Sequence, residues 1–253
     1  MEDSEKIHGV KAALIVGRQP VVEAMESGRA IDKILLQANV SGEIIGKIRQ
    51  MARQLSIPVQ TVPSEKLNSM TRSLHQGCIA QAAVVEYADL SQVIGEVTAK
   101  GAVPLFVMLD GITDVRNIGG ISRTAVCCGA QAIIVPDKGV GALNEEALKA
   151  SAGALEKIRI CRVASLLKTI DDLHLKGIRV VVSGMKEAVK LQSIDFSMPT
   201  CIVMGSEGKG VQPYINKAAD ERFSIPMTGE FDSFNVSVAT GIILYEAMMQ
   251  RLR

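Results

Sequence analysis

The chain is organised around the stretch Phe223-Ser-Ile-Pro-Met-Thr-Gly-Glu-Phe-Asp-Ser-Phe-Asn-Val-Ser-Val-Ala-Thr-Gly-Ile-Ile-Leu-Tyr-Glu-Ala-Met-Met-Gln-Arg-Leu-Arg253. A short apolar strand leads to Pro226, which has no N–H group to donate within a central sheet. A polar loop follows, and we expect a helix to begin near Ser233 or Asn235, because both are preferred N-cap residues. The helix keeps a broad apolar face to the end of the stretch. Its polar start permits two interpretations: a well-capped packing helix, or a helix N-terminus that meets a ligand.

The composition of the 253-residue chain is 47% hydrophobic but only 3% aromatic, and Trp is absent, so we expect an aliphatic core. Its 28 Lys and Arg against 27 Asp and Glu leave a formal net charge of +1. This balance gives no global signal for nucleic acid, so such a partner requires a local basic patch. The scarcity of aromatic residues argues against stacking platforms as the main mode of RNA binding.

The cysteine and histidine patterns exclude several classes of site. The five cysteines include no C-x-x-C pair, which favours reduced, buried thiols in a cytoplasmic protein. The three histidines are scattered, so no metal site is expected. No apolar run approaches the ~18–20 residues that span a bilayer, and the acidic amino terminus lacks a signal-like apolar region. We therefore expect a soluble, cytoplasmic protein that does not associate with membranes.

Two domains are predicted on either side of a polar segment. Residues 10–87 form a small α/β unit, residues 88–103 a linker with a candidate helical turn at Val93 to Val97, and residues 104–253 a second domain. In the second domain, continuous apolar runs such as residues 105–109 alternate with segments at helical spacing. Runs of this kind are typical of parallel strands buried on both faces. The predicted fold class is therefore α/β, with a parallel sheet covered by helices on both faces.

Three segments of the second domain carry patterns that could bind a ligand. Residues 114–125 collect polar side chains at the start of a helix, residues 204–210 form a glycine-rich turn after a strand, and the final helix has its polar start. Taken alone, each is equally consistent with a solvated helix face or an ordinary turn. Neither residues 139–144 nor residues 204–210 complete a nucleotide-binding motif, because Asn144 replaces the third glycine and no Ser or Thr follows Lys209.

Taken together, these three segments indicate one protein family. Asn117-Ile-Gly-Gly-Ile-Ser-Arg123, Met204-Gly-Ser-Glu-Gly-Lys-Gly210 and Ile225-Pro-Met with Ser-Phe-Asn-Val-Ser-Val-Ala239 occur in this order. They resemble the three signature motifs of the SpoU (TrmH-type) 2′-O-ribose RNA methyltransferases. Residues 14–86 are similar to that family's small, ribosomal-protein-like substrate-binding domain, so the resemblance covers nearly the whole chain. Val115 and Gly120 depart from the residues common in the family, but the polar motif residues are in place.

The resemblance implies a C-terminal trefoil-knotted parallel-sheet (SPOUT) methyltransferase domain behind a small N-terminal α/β substrate-binding domain. Periodicity alone predicts an ordinary doubly wound sheet, since true knots are rare. The resemblance also implies S-adenosylmethionine as cofactor and methyl transfer to a ribose 2′-hydroxyl of RNA. Within the family, the chain is most similar to the bacterial enzymes that modify a guanosine of 23S rRNA. A homodimer is implied, in which Arg123 comes from the partner chain.

The resemblance assigns the catalytic positions to Asn117, Arg123, Glu207 and Asn235. We expect Glu207 to orient Arg123 through a bidentate ion pair, and the two asparagines to hold the ribose. The family's proposed role for Arg123 is proton acceptor, although stabilising a developing alkoxide fits a guanidinium at least as well. The implied cofactor-binding residues are Ser183, Gly184, Met204, Gly205, Gly208, Ile225, Met227 and Phe234.

The candidate RNA-binding patch of the first domain consists of Arg18, Arg29, Lys33, Arg72 and His75. The alternative for this domain is a spacer of the dimer that makes no RNA contact. Two further alternatives concern the whole chain: tRNA is the substrate, or the chain is an RNA-binding module without catalysis. The separate first domain favours rRNA because it gives reach to a structured target. The retained polar motif residues favour an enzyme.

Overall fold

The computed structural model describes residues 14–141, 143–184, 188–229 and 233–252. Residues 10–13 of the predicted first domain lie outside the described residues, as do residues 230–232 and 253 of the stretch quoted first. The chain divides into two compact units between Val84 and Val85. No helix in the described ranges is long and apolar enough to cross a lipid bilayer.

The first unit is a four-stranded mixed sheet with helices packed on it. Its elements are β1 (Leu14–Val16), α1 (Arg18–Glu26), β2 (Ile31–Gln37), α2 (Glu43–Gln54), β3 (Val59–Val62), α3 (Ser64–Met70) and β4 (Cys78–Ala82). The strand order is β1-β4-β2-β3, with β4 antiparallel to both of its neighbours and β2 parallel to β3. Val21 of α1, Ile34 of β2 and Ile48 of α2 pack in one core cluster. Leu67 of α3 packs in a second, smaller cluster.

The second unit is a parallel sheet with helices between its strands. Its elements are α4 (Leu90–Ala99), β5 (Leu105–Asp110), α5 (Val115–Cys127), β6 (Ala132–Pro136), α6 (Glu145–Ala150), β7 (Arg159–Val163), α7 (Leu166–Leu175), β8 (Arg179–Ser183), β9 (Val189–Lys190), β10 (Thr200–Gly205), α8 (Pro213–Ala218), β11 (Glu221–Ser224) and α9 (Val236–Arg251). The seven described strands run in the order β7-β6-β5-β10-β8-β11-β9, and every pair is parallel.

Helices cover both faces of this sheet, as the apolar runs predict. All six residues of β5 are buried, so its side chains pack on both sides. On one face, Ile121 of α5 and Ile243 of α9 belong to the larger core cluster. On the other, Ile170 of α7 and Ile215 of α8 pack with the strands. Each fully buried side chain of this size contributes about 1.5–3 kcal/mol relative to an exposed one.

The connections around β10 are interleaved. This strand lies between β5 and β8, although β8 and β9 precede it in the chain. The strand that follows, β11, then pairs on the far side of β8. The overlapping connections depart from an ordinary doubly wound order. The knotted path that the resemblance implies stays a prediction, because strand order alone does not describe threading.

Residues 88–103, predicted as a linker, fold largely as part of the second unit. Helix α4 occupies residues 90–99, and Asp89 caps it by accepting a hydrogen bond from the Gln92 backbone N–H at 2.8 Å. Its buried residues Val93, Ile94 and Val97 pack in the core cluster of the α7 face. Their spacing is that of an amphipathic helix, and the candidate turn at residues 93–97 forms its middle.

Candidate active site

The candidate site lies at the carboxyl ends of two adjacent central strands. Asp110 ends β5 and is the parallel partner of Gly205, which ends β10. Ligand sites of open parallel sheets form at this edge, since the loops that follow the strands meet there. The loops leading into α5, α8 and α9 supply the polar residues of the site.

Helix α5 begins two residues earlier than the sequence predicts. Its N-cap is Asp114, which accepts from the Arg116 backbone N–H at 2.9 Å. The Arg116 guanidinium also contacts both carboxylate oxygens, at 3.2 and 3.0 Å. These hydrogen bonds lower the pKa of Asp114 and raise that of Arg116. Asn117 consequently lies in the first turn of the helix, where it is 8% exposed.

Helix α9 is capped by Asn235, one of the two residues predicted for this role. The Asn235 Oδ1 atom accepts from the backbone N–H of Ser237 at 2.9 Å and from the Ser237 hydroxyl at 2.6 Å. The backbone N–H of Val238 also donates to it, at 3.4 Å. The amide oxygen is therefore committed to the helix start, and its Nδ2 group points the other way, toward Glu207.

The three sequence motifs meet at one carboxylate. Glu207 Oε1 accepts from Asn235 Nδ2 at 2.7 Å and from Asn117 Nδ2 at 3.1 Å. Asn235 Nδ2 also donates to Asn117 Oδ1 at 3.0 Å, which closes a triangle of side chains. The Val236 backbone N–H adds a longer bond of 3.4 Å to the same Glu207 oxygen. We call Asn117, Glu207 and Asn235 the amide–carboxylate cluster.

The cluster gives Glu207 amide partners. Within the described residues of one chain, both asparagines donate to its Oε1 atom. The expected ion pair with Arg123, which the resemblance draws from a partner chain, stays a prediction. The Asn235 side chain uses its amide donors and its oxygen within the protein. Both asparagines hold Glu207 in this arrangement, and their expected contacts with a ribose stay predictions.

Arg123 lies apart from the amide–carboxylate cluster. Six residues separate it from Asn117 on the same helix, so the two side chains leave the axis about 120° apart. Arg123 is exposed and makes no hydrogen bond or ion pair with any residue that the structure describes. Of the four expected catalytic residues, the fold of one chain brings together three and leaves the fourth on another face.

The glycine-rich loop after β10 is tightly closed at its base. The Gly210 backbone N–H donates to the Ser206 carbonyl at 2.8 Å, while Gly208 and Gly210 have positive φ angles of 81° and 66°. A side chain on Gly205 would place its Cβ 2.1 Å from the Gly210 carbonyl carbon, so only glycine fits there. This closure holds Glu207 at the loop tip.

A cleft of about 1370 Å³ opens beside Glu207. Glycine-loop backbone forms one wall, and the apolar side chains of the segments before α9 form another. Its lining includes all eight residues predicted to bind the cofactor: Ser183, Gly184, Met204, Gly205, Gly208, Ile225, Met227 and Phe234. Such a mixture of apolar walls and backbone polar groups is typical of small-molecule sites. Within the described chain, no group of three or more His, Cys, Asp or Glu could hold a metal ion.

A second cleft lies within the first unit. Arg18, Arg72 and His75 line it, whereas Arg29 and Lys33 of the predicted patch do not. No Asp or Glu is among its described lining residues. Arg18 ties its two rims together, since Nε donates to the Gln76 carbonyl at 2.9 Å and Nη1 to the Ser41 carbonyl at 3.5 Å.

The other two predicted residues of this cleft differ in whether their side chains already have hydrogen-bond partners. His75 Nδ1 accepts from the Gly77 backbone N–H at 3.0 Å, so the proton lies on Nε2, which faces Asn68 Oδ1 at 2.8 Å. Arg72 is exposed and has no hydrogen-bond or ion-pair partner among the described residues. Leu74 on the same loop is 82% exposed, which adds an apolar surface beside the cations.

Sequence reasoning missed the buried carboxylate of Asp110. It is 1% exposed and accepts from Gln212 twice, at 2.7 Å from the backbone N–H and 2.6 Å from Nε2. The signal that could have found it is the acidic residue that ends an otherwise continuous apolar run. A charge at such a position is buried only where donors meet it.

The fold and the site define an α/β protein that binds a ligand at the edge of a parallel sheet, and comparison with known proteins gives its family. Residues 104–245 match the model described as the SpoU rRNA Methylase family. Residues 14–88 match the model described as RNA 2′-O ribose methyltransferase substrate binding. A Staphylococcus haemolyticus protein assigned to the TrmH family of tRNA/rRNA methyltransferases is 38% identical over 238 residues, covering 94% of this chain and 96% of that protein.

Two solved structures are similar in fold. One is AviRb from Streptomyces viridochromogenes, a SpoU methyltransferase in complex with AdoMet (TM-score 0.59, 24% identity, 94% of this chain and 90% of that chain). The other is an AdoMet-bound rRNA methyltransferase from Sinorhizobium meliloti (TM-score 0.58, 25% identity, 95% and 88%). The chain belongs to the SpoU family of RNA methyltransferases. The predicted family and fold class are thereby confirmed.

Proposed function

We propose that this protein transfers a methyl group from S-adenosylmethionine to a ribose 2′-hydroxyl of RNA, with a guanosine of 23S rRNA as the target. One observation carries the proposal. The amide–carboxylate cluster joins three distant motifs, and it lies beside a cleft lined by all eight residues expected to bind the cofactor. The tRNA alternative stays open to the same experiment, since the curated relative is named for tRNA and rRNA together.

The cleft suits S-adenosylmethionine in shape and chemistry. Ile225, Met227 and Phe234 offer apolar walls for an adenine ring, and the glycine loop offers backbone groups at close range. Both solved methyltransferases named above contain AdoMet. When bound, this cofactor supplies a methyl group that its sulfonium sulfur already activates.

The protein's own contribution is positioning and charge stabilisation. We assign Arg123 to the ribose 2′-oxygen, where its N–H groups stabilise the negative charge that develops as the hydroxyl proton passes to solvent water. A guanidinium is a poor proton acceptor, so this role suits it better than general base. Asn117 and Asn235 hold Glu207 beside the cleft through its Oε1 atom.

The orientation of Arg123 favours a site shared between two chains. It points away from the amide–carboxylate cluster of its own chain, and exposed apolar residues follow one stripe of α9. Val238, Tyr245, Met249 and Leu252 are 51%, 58%, 37% and 73% exposed, and half-buried Ile242 completes the alternating four- and three-residue spacing. This spacing is that of a helix–helix seam. A second copy of the chain, packed here, would bring its Arg123 to the cleft.

The cleft of the first unit is the proposed RNA contact. Its two arginines and the lack of described acidic lining residues suit a phosphate backbone. The exposed Leu74 and the neighbouring amides suit an unpaired base more than a duplex. Arg29 and Lys33 are left out of this interface, since they lie outside the cleft.

The test is to map ribose methylation in RNA from cells that lack this protein. One 23S rRNA guanosine should lose its 2′-O-methyl group, and the wild-type gene should restore it. If the Arg123→Ala gene also restores the methyl group, the catalytic assignment of Arg123 is wrong. If the cells lacking the protein lose a tRNA methylation instead, tRNA replaces rRNA as the assigned substrate. Calorimetry with S-adenosylmethionine distinguishes a non-catalytic RNA-binding module, which would give no binding heat.

A further inference from the structure

We infer that Asp110 is a positioning residue of the site, acting through Gln212 to fix the glycine loop that carries Glu207; this inference rests on the proposed function. Asp110 is the last residue of β5, on the strand beside the loop, and belongs to none of the signature motifs quoted above. Its two carboxylate oxygens both accept from Gln212, at 2.7 and 2.6 Å.

The position of Gln212 explains what this contact controls. Residues 206–210 leave β10, and Gln212 is the N-cap residue of α8, so the loop is fixed at both ends. The Gln212 side chain makes no capping bond to its own helix, and its Nε2 group donates to Asp110. The loop begins at β10 and ends at Gln212. Asp110, on the neighbouring strand β5, therefore holds the Gln212 end of the loop against the sheet.

The packing below the loop leaves little room for adjustment. Gly205 touches the backbone of Gly210 and Val211 so closely that a Cβ would lie 2.1–2.2 Å from them. A shift of Gln212 would move Val211 and Gly210 with it, and the close approach at Gly205 would be lost. Glu207, Gly208 and Gly205 line the same cleft, so the contact at Asp110 sets the shape of one cleft wall.

Burial makes the contact strong and selective. An aspartate that is 1% exposed needs donors at both oxygens, and Gln212 supplies them. A carboxylate at position 212 would present oxygen to oxygen and repel Asp110. An asparagine at position 110 would restore a donor, since its Nδ2 group can face that carboxylate while its Oδ1 accepts the backbone N–H.

The experiment exchanges these groups. Gln212→Glu alone should weaken S-adenosylmethionine binding by about tenfold or more, the size expected for losing one hydrogen bond to a charged group. Methyl transfer to total RNA from cells lacking the protein should fall by a similar factor. Asp110→Asn combined with Gln212→Glu should recover most of the loss. Gln212→Ala, at an exposed position, keeps the backbone bond and should give an intermediate loss with an unfolding temperature near wild type.

Hydrogen exchange of residues 205–212 supplies a readout that does not depend on activity. Faster exchange in Gln212→Glu, reversed in the double variant, is expected. Unchanged exchange in Gln212→Glu, or a double variant no better than Gln212→Glu, would overturn the role of Asp110. If wild-type protein binds no S-adenosylmethionine, the proposed function fails, while the exchange result still decides the contact.

Discussion

The side-chain amide of Asn235 donates to Glu207 Oε1 at 2.7 Å, and the oxygen of the same amide caps helix α9. One side chain therefore joins the start of the last described helix to the glycine loop after β10. Because the amide cannot be turned around without breaking both contacts, the orientation of Glu207 depends on the helix start. The active-site geometry and the packing of α9 on the sheet are coupled through this residue.

Asn235→Asp separates these two roles. Aspartate is as good an N-cap as asparagine, so α9 should remain intact and the unfolding temperature should change little. The variant places a carboxylate where Glu207 needs a donor, so methyl transfer should fall by about tenfold or more. Asn235→Ala, which loses both contacts, should also lose about 1 kcal/mol of stability. Equal activity of Asn235→Asp and wild type would show that Glu207 does not need the Asn235 amide.

Arg123→Ala should abolish methyl transfer and leave S-adenosylmethionine affinity unchanged, because Arg123 is assigned to the ribose 2′-oxygen and is not among the eight residues expected to bind the cofactor. Arg159→Ala, on an exposed arginine at the amino end of β7, serves as the control and should be active.

A mixture of two inactive variants tests whether the site is shared. If Arg123 completes the site of a partner chain, Arg123→Ala mixed with Glu207→Gln should regain about one quarter of wild-type activity after subunit exchange, since half the dimers are mixed and each has one intact site. A mixture that stays inactive after confirmed exchange would place Arg123 and Glu207 in the same chain's site.

Gly205→Ala tests the closure of the glycine loop. Its Cβ would meet backbone atoms of Gly210 and Val211, which cannot move aside as a flexible side chain would. We expect a loss of about 1–3 kcal/mol or more in the free energy of unfolding, measured with urea, together with loss of cofactor binding. Gly184→Ala is the matched control, because Gly184 also lines the cleft and no atom of the described residues lies within 4 Å of the added Cβ. Equal free energies of unfolding for the two variants would show that the glycine loop has room for the added Cβ.

Arg72→Ala tests RNA binding by the first unit. Arg72 has no described partner, so its removal should leave the fold unchanged and weaken binding to total rRNA. The slope of log affinity against log salt should become shallower by about one unit. Arg53→Ala, on an exposed arginine of α2 outside the cleft, should leave the slope unchanged. Equal slopes for both variants would favour the spacer alternative.

Asp114 gives a pH dependence with a definite sign. Hydrogen bonds from Arg116 lower its pKa below 3.8, so the ionised carboxylate stabilises the folded state at neutral pH. That contribution is present above the unfolded pKa and is lost as the pH falls through the lower, folded value. In urea unfolding, wild type should have a larger free energy of unfolding than Asp114→Asn at pH 7. This difference should disappear at acidic pH. Asp114→Ala should remain less stable throughout, because it also loses the helix cap.

The sequence predicts the fold class and the site's location for a physical reason. Continuous apolar runs such as residues 105–109 indicate parallel strands, and the loops at their carboxyl ends must meet. The eight cofactor residues that the family resemblance implies line one cleft at this edge. The partners of Glu207 were not predictable, because they depend on where α5 begins. Capping by Asp114 sets that start, and it turns Asn117 toward Glu207 and Arg123 away.

The two remaining differences have local causes. Helix α4 is longer than the single turn that the sequence suggests at residues 93–97, because Gly95 and the polar flanking residues weaken the pattern, although Val93, Ile94 and Val97 are buried in the core. Arg29 and Lys33 were grouped with Arg18 by charge alone. Charge specifies neither the face of a strand nor the end of a helix, and the structure leaves both outside the cleft.

The place of β10 in the sheet has a consequence for how the protein folds. Its register pairs Thr200 with Leu105, so the centre of the sheet forms only after a long loop of chain has closed. Contacts of such sequence separation slow folding, since the entropy of loop closure is lost before the contacts form. Until β10 inserts, β5 and β8 each present an unpaired, apolar edge, which is a template for aggregation. Refolding from denaturant should therefore be slow and sensitive to protein concentration.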